Sequence, residues 1–338
     1  MHWGAEVAHA FACLAGVACL VWAPTAAAQP RRLSPGCQGL DAPPTLAAAP
    51  DLDLSVLEEP HVLAGLLKTP WSPPPDLLQG NRALRVDLMP PDCGEAPLKM
   101  ANGTLIGPAT VAFPMGEVLP LLRRSVQERG FHAYVRHLAL DNFPEIAAQL
   151  PMARALRLAG PRLQSANLWI GDGGMRSNLH WDGHDNILLQ LTGTKTLLIL
   201  PPEATPHLGY RAFSEHRYLY ANGRFTGYKQ TGTVVENHAL FDAFDADSAR
   251  LDERIPVARA RVATLRPGEA LFLPALWSHA VVSTPAGADE GAAAEGLNMA
   301  VNLWFTQRSV SHAAALERVP EWTQGWFVFG NDLRSAAR

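Results

Sequence analysis

Residues 177–202, SNLHWDGHDNILLQLTGTKTLLILPP, limit the possible folds more than any other part of the chain. Asn186, Leu188 and Gln190 alternate with Ile187, Leu189 and Leu191, the period of a strand with two distinct faces. Gly193 permits a turn, and Lys195 leads into a second strand, TLLIL, that stops at Pro201-Pro202. Upstream, His180 and Asp182 are two residues apart and share a face if the first strand continues through them. A histidine and a carboxylate so placed supply two ligands of a facial metal triad, which leaves positions of an octahedral Fe(II) open. The third ligand is then a distant histidine that the fold brings alongside.

The segment GEALFLPALWSHAVVS offers one, His279, at the entrance of a β-branched strand after a turn at Gly268-Glu269 and a stop at Pro274. His184 lies closer in sequence but is no substitute. Ligands at 180, 182 and 184 on one strand would spread over about 13 Å and miss a common ion. It reads as a residue beside the site or on the surface. A His-x-Asp pair alone is by default a surface or hydrogen-bonded pair. Lys195 strengthens the metal reading, because an ammonium between apolar strands needs a counter-charge such as a bound dicarboxylate. The bland alternative is a strand-end lysine reaching solvent.

The rest of the chain supplies many short strands. RALRVDLMPP, FHAYVRHLAL, SANLWIGDGGM, ARVATL and LNMAVNLWF carry strand patterns. LSVLEEPHVLAGLL predicts a short helix and then a strand; PMGEVLPLLRRSVQERG and DNFPEIAAQLPMARAL carry helical spacing. Residues 203–260 read as a long connection able to cover a site, with one helix around ENHALFDAFDADSARL. Its four tyrosines, Tyr210, Tyr218, Tyr220 and Tyr228, suit substrate contact, loop exposure or packing equally. TPAGADEGAAAEG reads as a flexible insert, and Trp277 and Trp304 as core packing. The expected fold is mainly β with flanking helices: a double-stranded β-helix, the jelly-roll barrel of cupins.

Residues 8–28 are apolar and end in small residues, which predicts a cleaved signal peptide over 1–28. That implies the secretory pathway, the endoplasmic reticulum lumen or beyond, with a cytoplasmic location as the alternative and no stable membrane span after cleavage. Cleavage would leave Cys37 and Cys93, either a disulfide or two free thiols, and Asn102-Gly103-Thr104 is a glycosylation sequon. Residues 29–50 read as a linker, 51–308 as the metal-binding domain with its core at about 130–305, and 309–338 as a helical tail. A net charge of −4 and no basic run give no reason to expect nucleic-acid binding.

These residues, in this order, resemble the JmjC/cupin-like Fe(II)- and 2-oxoglutarate-dependent oxygenases, a family that includes the asparaginyl hydroxylase acting on hypoxia-inducible factor. The family's successive motifs are matched by Trp169-Ile170-Gly171, then Ser177, His180 and Asp182, then Asn186, Gln190, Gly193 and Lys195. Gly268 to Pro274, Trp277 and His279 match a later pattern, and Val301-Asn302-Leu303-Trp304 the last. The resemblance implies that His180, Asp182 and His279 bind Fe(II). It implies that Lys195 pairs with the distal carboxylate of 2-oxoglutarate, helped by Ser177 and, where it is not simply a core tyrosine, by Tyr134. Asn186 and Asn302 would lie near the iron and the other end of the co-substrate. Gly183-His184 departs from the family's usual residues, so substrate contacts there do not transfer. Glu269 stands in for a common Asp.

The implied activity uses 2-oxoglutarate and O₂ as co-substrates, yields succinate, and hydroxylates a side chain of a protein or peptide. A metal cupin of another reaction class, or a non-catalytic cupin-like binding module, is the alternative. Dimerisation through the tail is a habit of the family.

Overall fold

The computed structural model describes Leu33 and residues 40–305, apart from 50–51, 68–70, 92–97, 100–102, 125 and 245–256. The expected signal peptide, Cys37, Cys93, Asn102 of the sequon and the tail lie outside the described residues, as does half of the expected linker. The first strands are β1 (Thr45–Ala47), β2 (His61–Ala64), β3 (Ala83–Met89), β4 (Leu98–Lys99), β5 (Thr104–Gly107) and β6 (Ala109–Pro114). Helices α1 (Met115–Arg123) and α2 (Val126–Arg129) precede β7 (His132–Ala139), and α3 (Pro144–Ala147) and α4 (Ala153–Ala159) precede β8 (Leu163–Gly171). Then come β9 (Arg176–His180), β10 (Asp185–Thr192), β11 (Thr194–Leu200), β12 (Phe213–Ala221) and β13 (Arg224–Val235). The last are β14 (Arg261–Leu265), β15 (Ala270–Leu273), β16 (Ser278–Thr284) and β17 (Asn298–Phe305).

Eight of these strands make the expected jelly roll. The chain passes between two facing sheets, one containing β15-β10-β17-β8 and the other β14-β11-β16-β9. The first sheet continues past β8 through β7 and β3 to β6, and past β15 through β2 to β1.

The alternation along β10 explains the layering. Ile187, Leu189 and Leu191 are fully buried in the core that lies between the larger sheet and helices α1, α3 and α4. Leu188 faces the opposite way and packs with Leu197, Ile199, Leu271, Leu273 and Trp277 between the sheets. Each large apolar side chain removed from water contributes about 1.5–3 kcal/mol, so both faces of β10 hold its register. No helix among the described residues is long and apolar enough to cross a membrane.

Four expectations need correction. First, His180 and Asp182 do not share a strand: β9 ends at His180, and β10 begins at Asp185. The chain crosses between the two sheets at this point and leaves the extended conformation to do so.

Second, residues 213–235 form a long hairpin rather than an irregular connection, and 236–244 contain no helix. The signal was present at Asn222-Gly223, a dipeptide suited to a tight hairpin; both residues take positive φ (52° and 76°) between the paired residues Ala221 and Arg224. Tyr218 and Tyr220 pack edge-on against Phe225, Tyr210 is buried, and Tyr228 is partly exposed.

Third, the insert at 284–296 is tied down. Ala286 exchanges backbone bonds with Gly296 and Leu297, and the Glu290 carboxylate accepts the Gly193 N–H at 2.8 Å. Fourth, the helical run from Met115 breaks after Arg123 into α1 and α2.

Candidate active site

Between the two sheets lies a cavity of about 310 Å³. His180 and His279 stand directly opposite each other across the antiparallel pair β9 and β16, with ring centroids 4.3 Å apart. Asp182 reaches back from the turn, with Oδ2 3.7 Å from Nε2 of His279. One ligand atom from each of the three lies within 4.8 Å of the others. Each histidine gives its Nδ1 hydrogen to the carbonyl two residues before it: His180 to Asn178 at 2.7 Å, His279 to Trp277 at 3.0 Å. That leaves the Nε2 lone pair of each free to coordinate, the tautomer that a metal requires. Burial, and then the neighbouring His180, holds the His279 pKa down to about 4, so its ring is neutral.

Two further segments hold the turn that carries Asp182. The Asp182 carbonyl accepts the Leu276 N–H at 2.9 Å, and Asp185 Oδ1 accepts the Ala275 N–H at 2.7 Å. On the other side, the Asn237 amide donates to the Trp181 carbonyl at 2.9 Å, and the Trp181 N–H donates back to the Asn237 carbonyl at 3.3 Å. His238 bridges His180 and stacks on its ring at 5.4 Å. Residues 237–239 thus continue the smaller sheet beyond β9. Sequence reasoning missed them because the segment was read as helical.

Lys195 is buried on the same cavity wall. Its ammonium donates to Ser283 Oγ at 2.7 Å and lies 5.9 Å from the centroid of Tyr134. No carboxylate pairs with it among the described residues, and burial alone pushes its pKa down to about 7. Tyr134 is itself buried on the cavity wall, and burial raises its phenol well above the usual range. Ser177 lines the cavity too, but the hydroxyl on the ammonium belongs to Ser283, which the sequence reading did not single out.

Asn186 and Asn302 both face the cavity. Asn302 accepts the Trp169 indole N–H at 2.8 Å, whereas Asn186 Oδ1 is buried with no partner among the described residues. Trp304, expected as core, lines the cavity beside them, while Trp277 is buried as expected. His184 stays out of the ligand cluster, as its position predicts, and stacks on Trp304 at 6.5 Å.

The residues present fit a divalent metal and a dicarboxylate. One ligand atom from each of His180, Asp182 and His279 lies close to the others, a buried lysine lies on the same cavity without a carboxylate partner among the described residues, and a buried amide oxygen with no partner among them lies beside it.

Comparison with known proteins agrees. The profile of the family described as the cupin-like domain matches residues 76–311. The chain belongs to this cupin-like family, of the JmjC kind. It is 28% identical to the human bifunctional peptidase and (3S)-lysyl hydroxylase JMJD7 over 211 residues, 59% of this chain and 60% of that one. It is 29% identical over 150 residues to the lysine-specific demethylase JMJ31 of Arabidopsis thaliana, covering 44% of this chain and 22% of that protein. A tRNA wybutosine-synthesizing protein 4 from Neurospora crassa shares 26% over 168 residues, covering 46% of this chain and 12% of its own length. The chain therefore spans at most 60% of these relatives.

As a cupin-like chain it has clear reasons for its motif glycines. A Cβ on Gly193 would lie 2.4 Å from the Thr284 carbonyl, and φ there is +66°. Gly193 is thus the residue that lets the β10–β11 turn close against β16.

Proposed function

We propose that this cupin-like chain is an Fe(II)- and 2-oxoglutarate-dependent oxygenase that hydroxylates a side chain of a protein. The observation that carries the reading is one cavity lined both by the convergent Nε2 and carboxylate atoms of His180, Asp182 and His279 and by the uncompensated ammonium of Lys195. Neither feature alone separates this activity from a metal cupin of another class, and neither suits a module that only binds a partner.

In this reading His180, Asp182 and His279 hold the iron, which supplies oxidative decarboxylation of 2-oxoglutarate and insertion of oxygen into a C–H bond. Lys195, with Ser283 and Tyr134 around it, binds the distal carboxylate and so orients the keto acid toward the metal ligands. Ser177 assists on the same wall, and Asn186 and Asn302 sit toward the other end of the co-substrate.

A protein substrate is favoured by the names of the human and Arabidopsis relatives, a lysyl hydroxylase and a lysine-specific demethylase. In the same proposal residues 51–308 form the oxygenase domain and residues 1–28 direct the chain to the secretory pathway. N-terminal sequencing of the exported protein tests the latter.

The central test is succinate formation from 2-oxoglutarate by the Fe(II)-loaded chain against a panel of peptides. We expect peptide-dependent succinate that is lost in Asp182→Ala and Lys195→Met. Iron binding without any 2-oxoglutarate turnover would point instead to a cupin of another class, and iron binding no better than that of Asp182→Ala to a non-catalytic module.

A further inference from the structure

We infer that Arg136 and His137 form the substrate-orienting point of the cavity, donating hydrogen bonds to an amide carbonyl of the peptide beside the carbon that is oxidised. This deepens the proposed protein-hydroxylase reading and rests on it.

The backbone of β7 supplies the first observation. In a regular strand alternate residues face one side, so a wall containing Tyr134 and Arg136 would turn His137 away. Here Tyr134, Arg136 and His137 all line the cavity. The pairing of β7 with β8 slips between Val135 and Leu138, and His137 takes φ +51°. A histidine in the left-handed region is uncommon, and bulges recur where a side chain must be re-aimed beside a site. The bulge adds a second consecutive side chain to the cavity wall.

The second observation is where the pair sits. Four rings follow one another along the wall, Trp304 and His137 at 5.2 Å, His137 and Trp169 at 4.2 Å, Trp169 and Tyr134 at 5.9 Å, and His184, outside the lining, stacks on the first of them at 6.5 Å. The series begins beside exposed Gly183 and ends at the buried ammonium of Lys195. With the co-substrate's distal carboxylate at the deep end, His137 falls midway along the wall, toward the end left for the residue to be oxidised. It lines the same cavity as His180 and Asp182.

The third is what the two side chains have left to offer. Arg136 gives Nε to Asp87, whose other oxygen accepts the Thr110 hydroxyl at 2.7 Å. The terminal guanidinium nitrogens have no protein partner among the described residues, nor do the ring nitrogens of His137. Because Asp87 answers the charge of Arg136, the pair suits a neutral acceptor better than a carboxylate. A carbonyl oxygen has two lone pairs, one for each donor.

The test uses the full chain, Mn(II) or Fe(II), and a peptide found to support succinate formation. His137→Phe keeps a ring between the indoles but removes the donor, and Arg136→Met removes the guanidinium. Each is expected to raise the peptide KM at least tenfold, with kcat within threefold and 2-oxoglutarate affinity in the Mn(II) form within twofold. Two further variants separate donor from backbone. Both Asn and Gly accept the positive φ, but only His137→Asn restores a donor, so Asn should recover most of the affinity and Gly little.

Replacing the flanking peptide bonds one at a time by reduced amides distinguishes a main-chain carbonyl from a side-chain amide. The loss should appear at one position and vanish in His137→Phe. An unchanged peptide KM in both His137→Phe and Arg136→Met overturns the inference and leaves the oxygenase reading standing, as does equal recovery by Gly and Asn. If the wild type makes succinate with no peptide, the protein-hydroxylase reading itself fails, and this inference with it.

Discussion

Tyr134 and Gly171 are register partners across β7 and β8, and the tyrosine ring lies where a side chain on residue 171 would be. A Cβ there would come within 2.6 Å of Tyr134 Cδ2. The glycine is required by the ring, and the ring in turn covers the Lys195 ammonium.

Gly171→Ala should therefore act on the co-substrate rather than on the metal. Overpacking of this kind costs about 1–3 kcal/mol and displaces the flexible partner before the backbone. The expected result is a several-fold rise in the KM for 2-oxoglutarate with Co(II) affinity unchanged. The two titrations compared side by side check it, and weakened Co(II) binding would refute it.

Lys195 makes co-substrate binding pH-dependent. Its pKa falls from 10.5 to about 7 on folding, so between those values the unfolded chain holds the extra proton and the free protein gains stability as pH rises. A bound dianion reverses this by restoring the ammonium. Binding of 2-oxoglutarate to the Mn(II) form at about pH 8 should take up a proton, and affinity should strengthen from about pH 9 toward pH 7. Calorimetry in buffers of different ionisation enthalpy measures the uptake, which should disappear in Lys195→Met.

Asp185 has the opposite sign. Burial raises its carboxyl from 3.8 to about 7, and Oδ2 has no hydrogen-bond partner among the described residues. Its contribution to stability is fully present below about pH 4 and is lost as pH rises through 7. Asp185→Asn keeps an acceptor for the Ala275 N–H without the ionisation. It should raise stability by on the order of 2 kcal/mol at pH 8 and change it little at pH 4. Urea unfolding at the two pH values decides the matter.

Asn237 fixes the Trp181 backbone from both its donor and its acceptor side, and so fixes where Asp182 points. Groups of this kind are typically worth 10–100-fold in metal affinity. Asn237→Ala should lose about tenfold in Co(II) affinity and alter the Co(II) absorption bands, with the apo-protein melting within a few degrees of wild type. An unchanged affinity and spectrum would mean that the loop holds itself.

Residue types and spacing alone carried much of the site. His180, Lys195 and His279 were legible because each stands at a strand position near glycine or proline, and Asp182 because it lies two residues from His180, although it sits in the turn between β9 and β10. Trp304 was misread because alternation does not distinguish the core between sheets from the wall of a cavity between them. Ser283 and Asn237 were missed because they act through hydrogen bonds to residues far away in sequence. The hairpin of β12 and β13 was written locally, in Asn222-Gly223 between tyrosine-rich runs, and was overlooked.

Local periodicity determined that this chain forms short two-faced strands, and with them the jelly roll, because burying one face of each strand leaves few arrangements. The tertiary structure decided what the side chains do. It placed His180 across from His279, turned Asp182 back from a loop rather than a strand, and left Lys195 without a counter-charge among the described residues. It also put His137 on a bulge that no pattern of alternation contains. Those outcomes depend on which strands become neighbours and how their registers slip, and both are set by packing between segments distant in the sequence.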